Sequence, residues 1–282
     1  MATWEVLKFI MTVRKVSVRH VLMRMLKQTM GFCLVMLYLM PWSMAAEKKE
    51  PQRILFIGNS YTGVNQLPNI FKEIVTSAGH AAPVIQASHP GGRTLEQHLG
   101  IVASTQKIQE GKWDVVVLQG QSQEASLAEV NEGIRNSFLT SGKSLCEMIR
   151  KTSPDARIVW YQTWARHAEY WKNPKADTAI GTSPAEMMTR NQKWYVRLSQ
   201  ENAGSTVARV GEAWAGYYRT HPGKDLHVAD NSHPTFAGSY LAGLVLYQTV
   251  YQAPAAKIAY RGNLSETAAV ELQNAAAALT KP

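Results

Sequence analysis

Asp114-Val-Val-Val-Leu-Gln119 is the stretch on which the reading of this chain turns. Four successive apolar residues, three of them β-branched and with no polar alternation, suit a strand buried on both faces inside a parallel sheet. The run ends in Gln119-Gly-Gln-Ser-Gln-Glu124, which puts a polar segment at the carboxyl end of a buried strand. Upstream, Arg53-Ile-Leu-Phe-Ile57 reads as a strand ending at Gly58. Residues 67–78 carry Ile70, Phe71, Ile74 and Val75 at helical spacing, with Gly79 as a stop. Residues 83–87 are a second candidate strand and residues 95–104 a weaker helix. Downstream, a long helix is expected within 130–151, a strand over 157–162, a helix over Pro184–Glu201 and a last strand over 206–210. Phe236–Tyr251 reads as a core helix, and the Ala-rich stretch after Ser265 as a peripheral one. Strands alternating with helices predict an α/β three-layer sandwich with a mainly parallel sheet. Sites in such sheets lie beyond the carboxyl ends of the strands, where several polar motifs of this chain fall.

The first 46 residues read as a leader. Up to Lys27, six Lys/Arg stand against the single Glu5; residues 29–40 are apolar and uncharged, and Pro41 breaks the run before Ser43-Met-Ala-Ala46. A basic region, an apolar region and a small-residue site make the pattern of a secretory signal peptide, which predicts a periplasmic or secreted domain of residues 47–282. The run is shorter than the roughly 20 residues of a spanning helix. The alternative is a retained N-terminal anchor, and only through it would the protein meet a membrane. Of the formal charge of +9, the leader holds +5; residues 47–282 keep 24 Lys/Arg against 20 Asp/Glu. That mild excess, with no basic run, argues against a nucleic-acid partner. Cys33 belongs to the leader and leaves Cys146 alone, so neither a disulfide framework nor a cysteine metal site is expected. Between Leu145 and Ile149, Cys146 reads as a buried structural thiol. No His/Asp/Glu grouping has metal-ligand spacing, and no linker divides residues 47–282, which read as one domain.

Two short motifs carry chemistry. Gly58-Asn-Ser-Tyr-Thr62 follows the first strand, where glycine allows a sharp exit and Ser60 can present its hydroxyl above the sheet. It is not the Gly-x-Ser-x-Gly elbow, because position 62 is Thr. Asp230-Asn-Ser-His233-Pro-Thr235 precedes the last core helix. A serine nucleophile needs a base, and the base needs a carboxylate that fixes its tautomer and stabilises imidazolium. Asp230 and His233, three residues apart on one loop, can reach a common point. The competing account is a helix cap, with Asp230 or Thr235 accepting backbone N–H groups. His227 is the rival base, without the His-Pro context.

Taken together, the early Gly-Asn-Ser and the late Asp-x-x-His-Pro resemble the SGNH (GDSL-like) hydrolases, over roughly residues 53–251. The resemblance implies a flavodoxin-like sandwich and a serine esterase that needs no cofactor, with Ser60 as nucleophile, His233 as base and Asp230 as its orienting carboxylate. Asn59 stands where the family usually has Asp. The resemblance also implies an oxyanion hole, whose donors are aimed at the developing alkoxide. His89-Pro-Gly-Gly-Arg93-Thr94 corresponds to the family's glycine block, so the N–H of Gly92 (or Gly91) would join that of Ser60; an ordinary Pro-Gly turn accounts for the same residues. The third block departs from the family's Gly-x-Asn-Asp. Gln119-Gly-Gln-Ser-Gln-Glu124 looks instead like the Gln-Gly-Glu-Ser block of sialate O-acetylesterase-like carbohydrate esterases, with Gln119 the first choice of amide donor, Gln121 the second and Gln123 the third.

Trp160-Tyr-Gln-Thr-Trp164-Ala-Arg166-His167 leaves the fourth strand at the same sheet edge. Trp164, Arg166, Tyr170 and Trp171 are candidate sugar-binding residues, with core or rim packing as the competing account. The expected reaction is hydrolysis of an ester on a small molecule or glycan, an O-acetyl group on a carbohydrate above all. The alternatives are a lysophospholipase or thioesterase, which would want a long apolar groove, and a non-catalytic glycan-binding module on the same scaffold.

Overall fold

In the computed structural model, which describes residues 50–279, five strands form one parallel sheet. They are β1 (Arg53–Ile57), β2 (Val84–Ser88), β3 (Val115–Leu118), β4 (Arg157–Tyr161) and β5 (Ser205–Ala208), in the order β2-β1-β3-β4-β5. This is the expected α/β sandwich, and the strand order is the flavodoxin-like one. The expected leader, residues 1–46, lies outside the described residues. No helix among them is long and apolar enough to cross a membrane.

The helices are α1 (Ser60–Gly63), α2 (Leu67–Ser77), α3 (Leu95–His98), α4 (Val102–Glu110), α5 (Glu124–Leu127), α6 (Glu132–Thr152), α7 (Pro184–Glu201), α8 (Val210–Thr220), α9 (Phe236–Tyr251) and α10 (Glu266–Ala277). Side chains alternate across a strand, and here that alternation divides the core in two. Ile54, Phe56, Val115, Val117, Val159 and Tyr161 face the layer of α2, α8, α9 and α10. Leu55, Ile57, Val116, Leu118, Ile158 and Trp160 face α6, α7 and the α3–α4 segment. Both faces of β3 are therefore covered, which is why its sequence shows no alternation.

Two expectations on element bounds change. The expected helix over 95–104 is two, α3 and α4, separated at residues 99–101; Thr94 starts α3 with a reciprocal capping box to Gln97. The last strand stops at Ala208, and α8, which the sequence reading did not include, follows at once. Its residues Val210, Ala213, Trp214 and Tyr217 recur at helical spacing and are all buried.

The register fixes where the site can form. Ile57 of β1 pairs with Ser88 of β2 on one side and with Leu118 of β3 on the other. The chain thus leaves three adjacent strands at one level, at Gly58, His89 and Gln119. After β1 it moves to β2 on one flank and then crosses to β3 on the other, which opens a crevice at the reversal.

Candidate active site

Ser60 opens α1 directly after the β1 exit, so its N–H is one that the helix itself cannot bond. Gly58 is required there: a Cβ would lie 2.4 Å from Thr62 Oγ1 and 2.7 Å from Gln119 Oε1. The turn is held by the buried Asn59 amide. Its Oδ1 accepts the Tyr61 N–H at 3.2 Å, and its Nδ2 donates to the carbonyls of Arg93 and Gly120, each at 3.1 Å. One side chain thereby joins the loops after β1, β2 and β3.

The loop 226–235 brings the second motif to the same point. Ser60 Oγ lies 2.8 Å from His233 Nε2, and His233 Nδ1 lies 2.6 Å from Asp230 Oδ2. With Nδ1–H donating to the carboxylate, Nε2 is left to accept from the serine hydroxyl. Asp230 Oδ1 takes the backbone N–H groups of Ser232 (2.9 Å) and His233 (2.8 Å). Burial works against the Asp230 charge, but the His233 ring and these two N–H groups hold its carboxyl below the usual range. Thr235, not Asp230, caps α9 by accepting the Gly238 N–H.

The proposed oxyanion donors fare differently. Gly92 sits on an exposed turn with φ 69°, a left-handed conformation suited to glycine. Among the described residues the N–H groups of Gly92 and Ser60 have no acceptor. Gln119 requires a correction. It is fully buried, its Nε2 donates to Asn59 Oδ1 (3.0 Å) and to the Gly120 carbonyl, and its Oε1 accepts from Asn59 N and Thr62 Oγ1. Both its amide protons brace the nucleophile turn, so it is not placed to donate to a substrate. Gln121 differs: its Oε1 accepts the Gln123 N–H at 2.7 Å, while its Nε2 has no acceptor among the described residues. Glu124, the last residue of the block, is buried and accepts the Gln121 N–H at 2.9 Å; burial pushes its carboxyl up to about 7.

Arg166 and Trp164 turn inward. Trp164 is 1% exposed and lies between Tyr61 and Trp214, with ring centroids 4.2 and 3.9 Å away and nearly parallel planes. The Arg166 guanidinium donates to Tyr61 Oη and Ser232 Oγ through Nη1, and to Ser122 Oγ at 3.1 Å through Nη2. It clasps the first, third and last motifs from behind. Tyr170 Oη accepts the Asp177 N–H and Trp171 Nε1 donates to the Gly181 carbonyl, so both brace the loop before α7. His227 is buried, bonded to Tyr218 Oη (2.7 Å) and the Ala165 carbonyl (3.0 Å), and burial pushes it down to about 3. It is not at Ser60.

A second serine–histidine pair exists, which the sequence reading missed. His98 Nδ1 lies 2.7 Å from Ser104 Oγ, and its Nε2 lies 2.9 Å from the Gly58 carbonyl. Both residues are fully buried, no carboxylate among the described residues pairs with the ring, and burial pushes His98 down to about 4. A pair sealed from solvent has no route to a substrate; what it does is hold the Gly58 carbonyl. Among the described residues no group of three or more His, Cys, Asp or Glu could hold a metal ion.

No protein-family model matches the sequence, and comparison with curated proteins found no match. Solved structures do resemble it. A DUF4886 family protein from Bacteroides uniformis aligns with a TM-score of 0.66 at 17% identity, over 80% of this chain and 93% of that one. A protein assigned as a GDSL-like lipase from Parabacteroides merdae aligns at 0.54 and 12% identity, over 73% and 98%. An acetyl xylan esterase aligns at 0.51 and 15%, over 70% and 99%. At these identities the likeness shows the fold alone, one that this chain shares with a GDSL-like lipase and an acetyl xylan esterase.

Proposed function

We propose that the chain is an exported serine esterase in which Ser60, His233 and Asp230 form the catalytic triad. The observation that carries this reading is the continuous hydrogen-bonded line from Ser60 Oγ through His233 to Asp230, at 2.8 and 2.6 Å. In this mechanism Ser60 Oγ attacks the ester carbonyl as its proton passes to His233 Nε2, and Asp230 stabilises the imidazolium. The tetrahedral oxyanion takes the N–H groups of Ser60 and Gly92, with the Gln121 amide as third donor in place of Gln119. His233 then protonates the leaving alcohol, and a water activated by the same ring releases the acid. An O-acetyl group on a carbohydrate is the favoured substrate, an analogy supported by the polar glutamine block and by the fold shared with an acetyl xylan esterase.

The test is hydrolysis of p-nitrophenyl acetate, butyrate and octanoate, with Ser60→Ala and His233→Ala alongside. Acetate is expected to be preferred, and each variant to lose about 10⁴-fold or more in kcat. Equal turnover in wild type and Ser60→Ala would sink the triad assignment, and an octanoate preference would move the substrate to acyl lipids.

A further inference from the structure

A cavity of about 380 Å³ has Trp164 and Arg166 in its walls, two residues that also touch the neighbours of Ser60 and His233; neither Ser60 nor His233 lines it. It lies between the loop after β4, the start of α7 and one face of α8, and its walls are mainly apolar, with Trp164, Met188 and Trp214 among them. Its volume falls within the about 300–1,000 Å³ of small-molecule sites. The polar groups are few and nearly all engaged. His227 and Tyr218 bond to each other, and the second ring nitrogen of His227 is bonded to the Ala165 carbonyl. His167, also in the wall, has its Nε2 3.5 Å from the Asp225 carboxylate, which leaves the Arg166 guanidinium as the lining cation with no carboxylate partner among the described residues.

Arg166 is 8% exposed, and no carboxylate among the described residues pairs with it. Its three acceptors are hydroxyl oxygens, those of Tyr61, Ser232 and Ser122, which accept hydrogen bonds without neutralising a cation. Its Nε–H has no acceptor among the described residues and is not sealed from solvent. A buried cation without a counter-ion is costly, and a guanidinium favours a carboxylate through charge-assisted hydrogen bonds. The cavity is also tied to the nucleophile. Trp164 in its wall stacks on Tyr61, the residue after Ser60, and donates through Nε1 to the carbonyl of Ser232, the residue before His233.

We propose that this cavity is a substrate subsite for a ring-sized group bearing a carboxylate, with Arg166 as the counter-charge. The proposal rests on the esterase reading of Ser60 and narrows its substrate to an acidic ester. The carboxylate is carried either by an aromatic ring or by a sugar, and the experiment separates the two. Calorimetric titration of the full chain carrying Ser60→Ala would use two matched pairs of probes: 4-acetoxybenzoate against its methyl ester, and acetylated glucuronate against acetylated glucose.

The acid of at least one pair is expected to bind about tenfold or more tightly than its neutral partner, and the pair that responds identifies the ring. Ala215→Trp or Ala185→Trp, which fill the cavity from exposed positions on α8 and α7, should abolish the preference while Tm is unchanged. Arg166→Gln should abolish it and Arg166→Lys retain part of it. Equal binding within both pairs, no binding of any probe, or a preference that survives both tryptophan variants would overturn the proposal. Failure of the esterase reading is seen separately, as p-nitrophenyl acetate turnover that persists in Ser60→Ala.

Discussion

Asn59 shows how much one atom decides at the nucleophile turn. The hydrolases that the sequence resembles usually have Asp at this place, yet here the Nδ2 group faces two backbone carbonyls, of Arg93 and Gly120. A carboxylate would set an anionic oxygen against both and leave them unpaired. Asn59→Asp is therefore expected to cost about 3 kcal/mol in urea unfolding at neutral pH, and less in acid, where the protonated carboxyl can donate once. Loss of stability that is independent of pH would show that the amide is not acting as a donor. The two glutamines are separated by the same logic. Gln119→Ala should lower Tm, because its amide braces Asn59 and Thr62. Gln121→Ala should leave Tm in place and lower kcat by about 10²-fold, the usual effect of removing one oxyanion donor. The reverse pattern would restore Gln119 as the donor. The sequence shows that a polar amide follows β3; it does not show which partners have already taken its protons.

At the scale of elements, the site depends on how helices start. Thr235 stands two residues after His233 and caps α9, so the helix end and the histidine are positioned by one short loop. Thr235→Ala is expected to lower stability by about 1 kcal/mol, read from the urea midpoint. If capping is its whole role, Thr235→Ser should restore nearly all of that, and a serine variant no better than alanine would refute it. The start of α8 is equally constrained: a Cβ on Gly211 would lie 2.3 Å from the Thr163 carbonyl and 2.7 Å from Met188 Sδ. The spacing of Val210, Ala213, Trp214 and Tyr217 was readable as a helix. It escaped because the preceding apolar run, Thr206-Val-Ala-Arg-Val210, continues without a break from strand into helix.

For the whole molecule, three buried titratable groups shape the dependence of stability on pH. His98 and His227 are pushed from 6.5 down to about 4 and about 3, so between 6.5 and those values the unfolded chain binds the extra protons and stability falls on acidification. Glu124, raised from 4.5 to about 7, acts in the opposite sense, favouring the fold below 4.5 and losing that contribution as the pH rises to 7. Between about pH 5 and 6 two histidines oppose one glutamate. The net is one proton, or about 1.4 kcal/mol per pH unit lost on acidification, with the maximum near pH 7. Urea unfolding across pH 5–8 checks this. In Glu124→Gln the acid slope should steepen to about two protons and the slight decline above about pH 7 should vanish; an unchanged profile would mean that Glu124 does not titrate as described.

The alternation of buried strands with amphipathic helices, the two-faced burial of β3 and the two short motifs, one after β1 and one before α9, were all legible in the sequence. Each is a local pattern: periodicity reports which faces are apolar, and a turn needs only a few neighbouring residues. Tertiary structure alone decided the rest. Asn59 meets Gly120 across 61 residues, Arg166 meets Tyr61 across 105, and Ser60 meets His233 across 173. Only the folded sheet, which ends three strands at one level, determines whether a polar side chain there meets a backbone carbonyl, a hydroxyl or open space. For that reason the sequence could name Gln119, Gln121 and Arg166 but could not sort the brace from the free donor, or the clasp from the surface.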